Sequence, residues 1–180
     1  MIDFTKSKQY TLSIRLSTDG FSFSIYNPIH DDSLSIIEKE INASSSLTAN
    51  LKTLFHESDF LNHPYKRVNI MMAGKRFTIA PLELFEEEQA ELLFYHNHQK
   101  KENETVLYNI LRKNNVAVIF GIDKSAQTFL NEQYPEARFY SQSTPFIDYF
   151  SVKSRLGNSK KMYASVRKDG IDIYCFERGH

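Results

Sequence analysis

Few side chains in this sequence have the types and spacing that chemistry needs. Tyr95-His96-Asn97-His98 invites metal or nuclease chemistry. A helix places His96 and His98 on different faces, whereas a zinc pair on one helix wants a spacing of three or four. No cysteine cluster or acidic partner is evident, so a solvated helix end is expected there. Asp31-Asp32, with Asp59 and Asp148, offers acidic ligands, but far apart in the chain. Lys100-Lys101 and Lys160-Lys161 are basic runs near tyrosines. A nucleic-acid surface would show a larger excess of positive charge, so solvated faces are the expectation. The single cysteine, Cys175, excludes an internal disulfide. Its phase in a strand points to a buried thiol rather than a nucleophile.

Composition narrows the classes further. The 180 residues suit one domain, or one domain plus a fragment. Lysine plus arginine number 22 and aspartate plus glutamate 22, so no global charge draws the chain to nucleic acid or an anionic membrane. The opening MIDFTKSKQ has no apolar core of a signal peptide. No apolar run reaches membrane-spanning length, and a cytoplasmic location is the default expectation.

The elements that must position any site begin with Tyr10–Asn27, a β-hairpin around Asp19-Gly20. A type I′ turn at those two residues sets Leu16 against Phe23 and Ile14 against Ile25 on an apolar face. Arg15 then faces Ser24 and Ser17 faces Ser22 on a polar one. About 150 positions on, the pattern returns without a gap. Met162, Ala164 and Val166 fall on Leu12, Ile14 and Leu16, and Asp169-Gly170 falls on Asp19-Gly20. Ile171, Ile173 and Cys175 fall on Phe21, Phe23 and Ile25.

Between the hairpins, residues 1–9 read as a polar lead-in. Ser33–Ile41 reads as a third strand with Leu34 and Ile36 inside. A helix follows from the Ser44–Ser46 caps through Leu47, Leu51, Leu54 and Phe55. Arg67–Met72 suits a buried strand and Arg76–Ala80 another. Pro81 opens a helical stretch with Leu84, Phe85, Ala90, Leu93 and Phe94 as its apolar stripe. Glu104–Leu111 and Val116–Ile122 form a further hairpin. Lys124–Gln133 is a helix, Ala137–Tyr140 a strand, and Thr144-Pro145 opens a last helix with Phe146, Ile147 and Phe150 inward.

This order of hairpin, third strand, helix, buried strand and later hairpin resembles the actin-like ATPase fold. That fold repeats a ribonuclease H-like βββαβαβα unit twice. VNIMMAGKRFTIAPLELFEEEQAELLFY resembles the inserted subdomain of the branch that holds FtsA and the pilus-assembly protein PilM. The whole chain is similar to an uncharacterised family, known mainly from Bacteroidetes, with this fold. The resemblance implies a mixed α/β fold. Residues 1–156 would be a first half with an inserted α+β subdomain near 74–122. Residues 160–180 would open a second half that a longer native chain completes.

The departures decide what the resemblance implies for function. Active members carry an Asp-x-Gly-Thr/Ser pattern on the first strand of each half, with the aspartate near the metal. The matching positions here are Arg15 and Ser17, then Ser165 and Arg167. Arginine beside a divalent cation repels it, so metal-assisted ATP hydrolysis and ribonuclease H-like nuclease chemistry are both disfavoured. Arg15, Ser17, Thr18, Arg167 and Lys168 remain candidates to contact an anion or nucleotide directly, and Asp172 offers Arg167 a partner across the strands. The leading expectation is a non-catalytic scaffold or assembly protein without a cofactor, acting on a protein partner or on copies of itself. A nucleotide-binding ATPase relative stands second, and a nucleic-acid-linked accessory protein third.

Overall fold

The computed structural model describes residues 2–28, 33–156, 159–167 and 170–177. Its strands and helices run in the order β1 (Thr11–Ser17), β2 (Gly20–Asn27), β3 (Ser33–Lys39), α1 (Leu47–Glu57), β4 (Arg67–Met72), β5 (Phe77–Pro81), α2 (Ala90–Asn97), β6 (Glu104–Leu111), β7 (Val116–Asp123), α3 (Lys124–Gln133), β8 (Arg138–Ser141), α4 (Ser143–Ser154), β9 (Lys160–Arg167) and β10 (Gly170–Glu177). Short 3-10 turns punctuate the chain. Asp31, Asp32, His30, Gly157, Asn158, Lys168, Asp169 and His180 lie outside the described residues.

The chain divides into two compact units. The first comprises Met1–Lys75, Lys100–Thr105 and Gly121–Tyr140. Its five-stranded sheet has the order β3-β2-β1-β4-β8. β1 is antiparallel to β2 and parallel to β4, and β2 is antiparallel to β3. Alternation places Leu12, Ile14, Leu16, Phe21, Phe23 and Ile25 on one buried face. Leu51, Leu54 and Phe55 of α1 and Ala126 and Leu130 of α3 belong to the same core cluster. Ser46 caps α1 by accepting from the Ala49 amide at 3.1 Å, and Asp123 caps α3 by accepting from Ala126 at 2.8 Å.

The second unit comprises Arg76–Gln99, Val106–Phe120 and Ser141–His180. It holds the sheet β5-β7-β6 and the two-stranded ribbon β10-β9. The central strand β7 reads Val-Ala-Val-Ile-Phe without alternation, because both its faces are covered. Ile119 packs in a cluster with Phe94 of α2, and Val118 in another with Ile147 of α4 and Tyr174 of β10.

Several expectations change. The first hairpin closes on Ser17 opposite Gly20, so its loop is Thr18-Asp19. Leu16 faces Phe21, Ile14 faces Phe23 and Arg15 faces Ser22. The slip is two residues, and since strand sides alternate with period two the buried face is unchanged. Asp19 does not take the positive φ of a type I′ turn; among the described non-glycine residues only Asn115 does. Gly20 sits at φ 149°, where a Cβ would come within 3.0 Å of the Lys39 carbonyl oxygen.

On β3, Leu34 and Ile36 point outward, and Ile37 packs toward the core. Three aliphatic residues within four positions left the phase of that strand ambiguous, and pairing of Phe23 with Ile37 fixed it. The lead-in is ordered: Phe4–Gln9 forms a 3-10 turn, and Ile2 and Phe4 pack on the core. Leu84 is exposed rather than part of a helical stripe, because Leu82–Leu84 is a 3-10 turn before α2. The last helix starts at Ser143, and the Thr144 hydroxyl donates instead to Asn109 Oδ1 at 2.8 Å.

Candidate functional site

Of the residues singled out for anion contact, Arg15, Ser17, Thr18 and Arg167 occupy the turn ends of the two hairpins. Arg15 lies on the outer, polar side of β1, between the buried Ile14 and Leu16. Its neighbours in the sheet are Ser22 of β2 and Met71 of β4. Its Nη1 stands 3.9 Å from Asp19 Oδ1 in the turn, both side chains about a third exposed. Such a loose, wet pair contributes at most about 1 kcal/mol. Ser17 is half-buried in the closing pair and Thr18 is exposed at the tip. The hairpin thus brings Arg15, Ser17, Thr18 and Asp19 to one end of β1.

The second hairpin treats its arginine differently. Ser165 stands opposite Asp172, and Arg167 opposite Gly170. The Arg167 guanidinium makes an ion pair with the Asp172 carboxylate, their side chains 6 % and 14 % exposed. A pair this dry holds its partners firmly, because either charge left alone in the protein would be costly. Lys168, the remaining candidate, lies outside the described residues.

Other candidates resolve into structural parts. His98 caps α2, its Nε2 3.1 Å from the Phe77 carbonyl oxygen and its ring against Phe94, while His96 is exposed. Asp59 pairs with His63 at 3.3 Å. Among the described residues, no group of three or more His, Cys, Asp or Glu is placed to hold a metal ion. Cys175 is exposed, not buried. The strand alternates as expected, but the opposite face, with Tyr174 and Phe176, is the packed one.

One depression went unread in the sequence. In the first unit a hollow of about 430 Å³ is lined by Thr48, Lys52, Asn103, Lys124, Thr128 and Glu132, among others. Asn103 donates to Asp123 Oδ2 at 2.8 Å and so ties its floor to the start of α3. Two lysines share the rim with Glu132, so its charge is of mixed sign. Nothing in the local sequence joins residues this far apart along the chain.

Burial also tunes the tyrosines. Tyr134 donates to the Leu61 carbonyl at 2.6 Å, and burial, with Tyr65 nearby, raises its pKa. Tyr65 is pushed up to about 12, by burial first and by Asp59 second. Tyr134 belongs to the buried core cluster of the first unit, and Tyr65 packs against it.

Taken together, the sheet order, the parallel β1–β4 pair and the helices α1 and α3 define a mixed α/β protein with the actin-like ATPase fold. A crystal structure from Bacteroides thetaiotaomicron VPI-5482, described as a protein with actin-like ATPase fold and unknown function, superposes with a TM-score of 0.95 at 83 % identity. The match covers 99 % of this chain and 70 % of that one. The chain belongs to the family of proteins of unknown function DUF3822, whose pattern matches residues 1–180. A distant likeness reaches a chain of the PilM-PilN type IV pilus biogenesis complex, with a TM-score of 0.46, 9 % identity, and coverage of 93 % of this chain and 58 % of that one. Comparison with curated proteins gave no match. Among the described residues, no helix is long and apolar enough to cross a membrane.

Proposed function

We propose that this chain is a non-catalytic scaffold or assembly protein of the actin-like class, working through contacts with a protein partner or with copies of itself. The observation that supports this most is the outer face of β3. Leu34 and Ile36 are 55 % and 61 % exposed there, and Tyr26 of β2, opposite Leu34, is 41 % exposed. β3 is an edge of the five-stranded sheet. An aliphatic cluster beside open strand hydrogen-bonding groups is a template for adding another strand. The reading takes a cytoplasmic setting and no cofactor. It treats residues 1–156 as a first half with its insertion near 74–122, and 160–180 as the opening of a second.

Turnover fits poorly with the hairpin ends. A unit charge pair about 4 Å apart is worth roughly 4 kcal/mol at an effective dielectric near 20, and Arg15 where the fold's metal-binding aspartate would stand makes that term repulsive. The second reading, a nucleotide-responsive relative, draws on Arg15 lying partly exposed beside Ser17 and Thr18.

Sedimentation over a range of concentrations, with calorimetry against ATP and magnesium, separates the two. The scaffold reading expects a mass that rises with concentration and a monomer for Ile36→Lys, with no heat from ATP. A monomer throughout, with micromolar ATP binding that Arg15→Ala abolishes, overturns it. Salt-sensitive binding to RNA or DNA would favour the nucleic-acid reading instead.

A further inference from the structure

The aliphatic residues on the outer face of the first unit's sheet are confined to its edge. The outward positions of β1 are Thr11, Ser13, Arg15 and Ser17, and those of β2 include Ser22 and Ser24. On β3 they are Leu34, Ile36 and Glu38, all exposed. Tyr26 of β2 adjoins them, opposite Leu34. A layer lying over this face would meet serines and an arginine across most of its width. The apolar positions suit a neighbour lying beside β3, in the plane of the sheet.

The edge itself is unguarded. Leu34–Ile37 carries no charge and no proline, the usual means of keeping a second strand away. The opposite edge differs: β8 has four residues, against seven in β3. Laid on β8 of the next copy, β3 would keep much of its length unpaired, so head-to-tail stacking of sheets is poorly matched. β3 against β3 matches in full.

Two like strands meet about a two-fold axis normal to the sheet, which makes them antiparallel and keeps both outer faces on one side. Residues directly opposite each other then share a face, so an outward residue meets an outward residue. Full overlap sets Ile36 against Ile36 of the second copy, Leu34 against Glu38 and Ser35 against Ile37. No like charges meet. Leu34 and Ile36 of both copies, flanked by the two Tyr26 rings, form one apolar stripe across the junction.

We infer that two copies of this chain join antiparallel through β3, fusing their five-stranded sheets into one closed dimer. This rests on the scaffold reading and narrows it: the partner is a second copy, and the assembly stops at two.

Cross-linking and hydrogen exchange test the pairing. Cys175→Ser removes the one native thiol, an exposed one. In that background Ile36→Cys is expected to give a disulfide-linked dimer under mild oxidation, since only this position faces itself. Leu34→Cys is expected to stay a single chain, because its mate lies about 13 Å away along the ladder. In the unaltered chain, amide exchange over Leu34–Glu38 is expected to slow as concentration rises, with β8 unchanged, while the mass levels off at two chains. A two-chain species without protection of β3 overturns the inference and leaves the scaffold reading to another surface. Bridging at Leu34→Cys as readily as at Ile36→Cys overturns the register, and a mass that climbs past two chains overturns the closed pair. A monomer at every concentration overturns the inference as well, and by itself leaves the scaffold reading to a different protein partner.

Discussion

The two hairpins are alike by every local rule and opposite in packing. Arg15 faces Ser22 in one and Ser165 faces Asp172 in the other, under a shift of about 150 positions. In β1–β2 the aliphatic face is buried and the serine-rich face turns outward. In β9–β10 the aliphatic face is bare, and the face bearing tyrosine, phenylalanine and the Arg167–Asp172 pair is packed. Alternation divides a ribbon into two faces; it does not choose which one goes inside. The same contrast governs the arginines. Arg15 keeps a loose, half-wet contact with Asp19, and Arg167 is clamped in a dry pair.

The sharpest way to break this comparison is to truncate matching residues. Phe23→Ala should cost about 3–5 kcal/mol, as for a fully buried aromatic, and its counterpart Ile173→Ala about 0.5 kcal/mol or less. Urea unfolding of both variants of the 180-residue chain checks this. Similar losses at the two sites would show that the second ribbon is not bare. Next in size, Asp172→Ala strands Arg167 in a dry setting and should cost about 3 kcal/mol, whereas Asp19→Ala should cost less than about 1 kcal/mol. Equal costs would erase the distinction between the arginines.

The smallest expected effect is alkaline. Burial raises the Tyr134 pKa above its ordinary 10.0, and it raises that of Tyr174 too, against the opposing hydrogen bond to Ser143. The folded protein thus holds these protons more tightly than the unfolded chain. Their contribution is full below pH 10.0 and is lost as pH rises from there through the folded values. Tyr134→Phe should flatten the fall of stability above that pH, and Tyr174→Phe should do so less. Denaturant midpoints from pH 8 to 11, about the unfolded tyrosine value, measure the slopes. A larger effect at Tyr174 would make the second unit's core the tighter of the two.

Much of the architecture was legible along the chain. The helix Lys124–Gln133 follows from its Asp123 cap and spaced apolar residues, and Arg67–Met72 from its short apolar run. The 3-10 turn at Phe4–Gln9 went unread although its Asp3 cap is local, since the packing of Ile2 and Phe4 on the core that goes with it is tertiary. The hairpin turn was read one position too late, and the pairing with it two residues out of register, because Asp-Gly marks two-residue turns so often. Here the glycine is used instead for the close approach of β3. The candidate site was legible mostly as positions: the Asp172 partner of Arg167 could be read across the strands, whereas the Arg15–Asp19 contact and the burial of either arginine could not.

By itself the sequence determined the two ribbons, their alternation and their aspartate-free first strands, because strand period and residue type act over a few neighbours. Only the tertiary structure decided which face of each ribbon is inside, and with it whether Cys175 and Ile36 meet water. That choice depends on which distant helix or strand arrives to exclude solvent. Burial is a property of the pair of surfaces, and no single strand carries it.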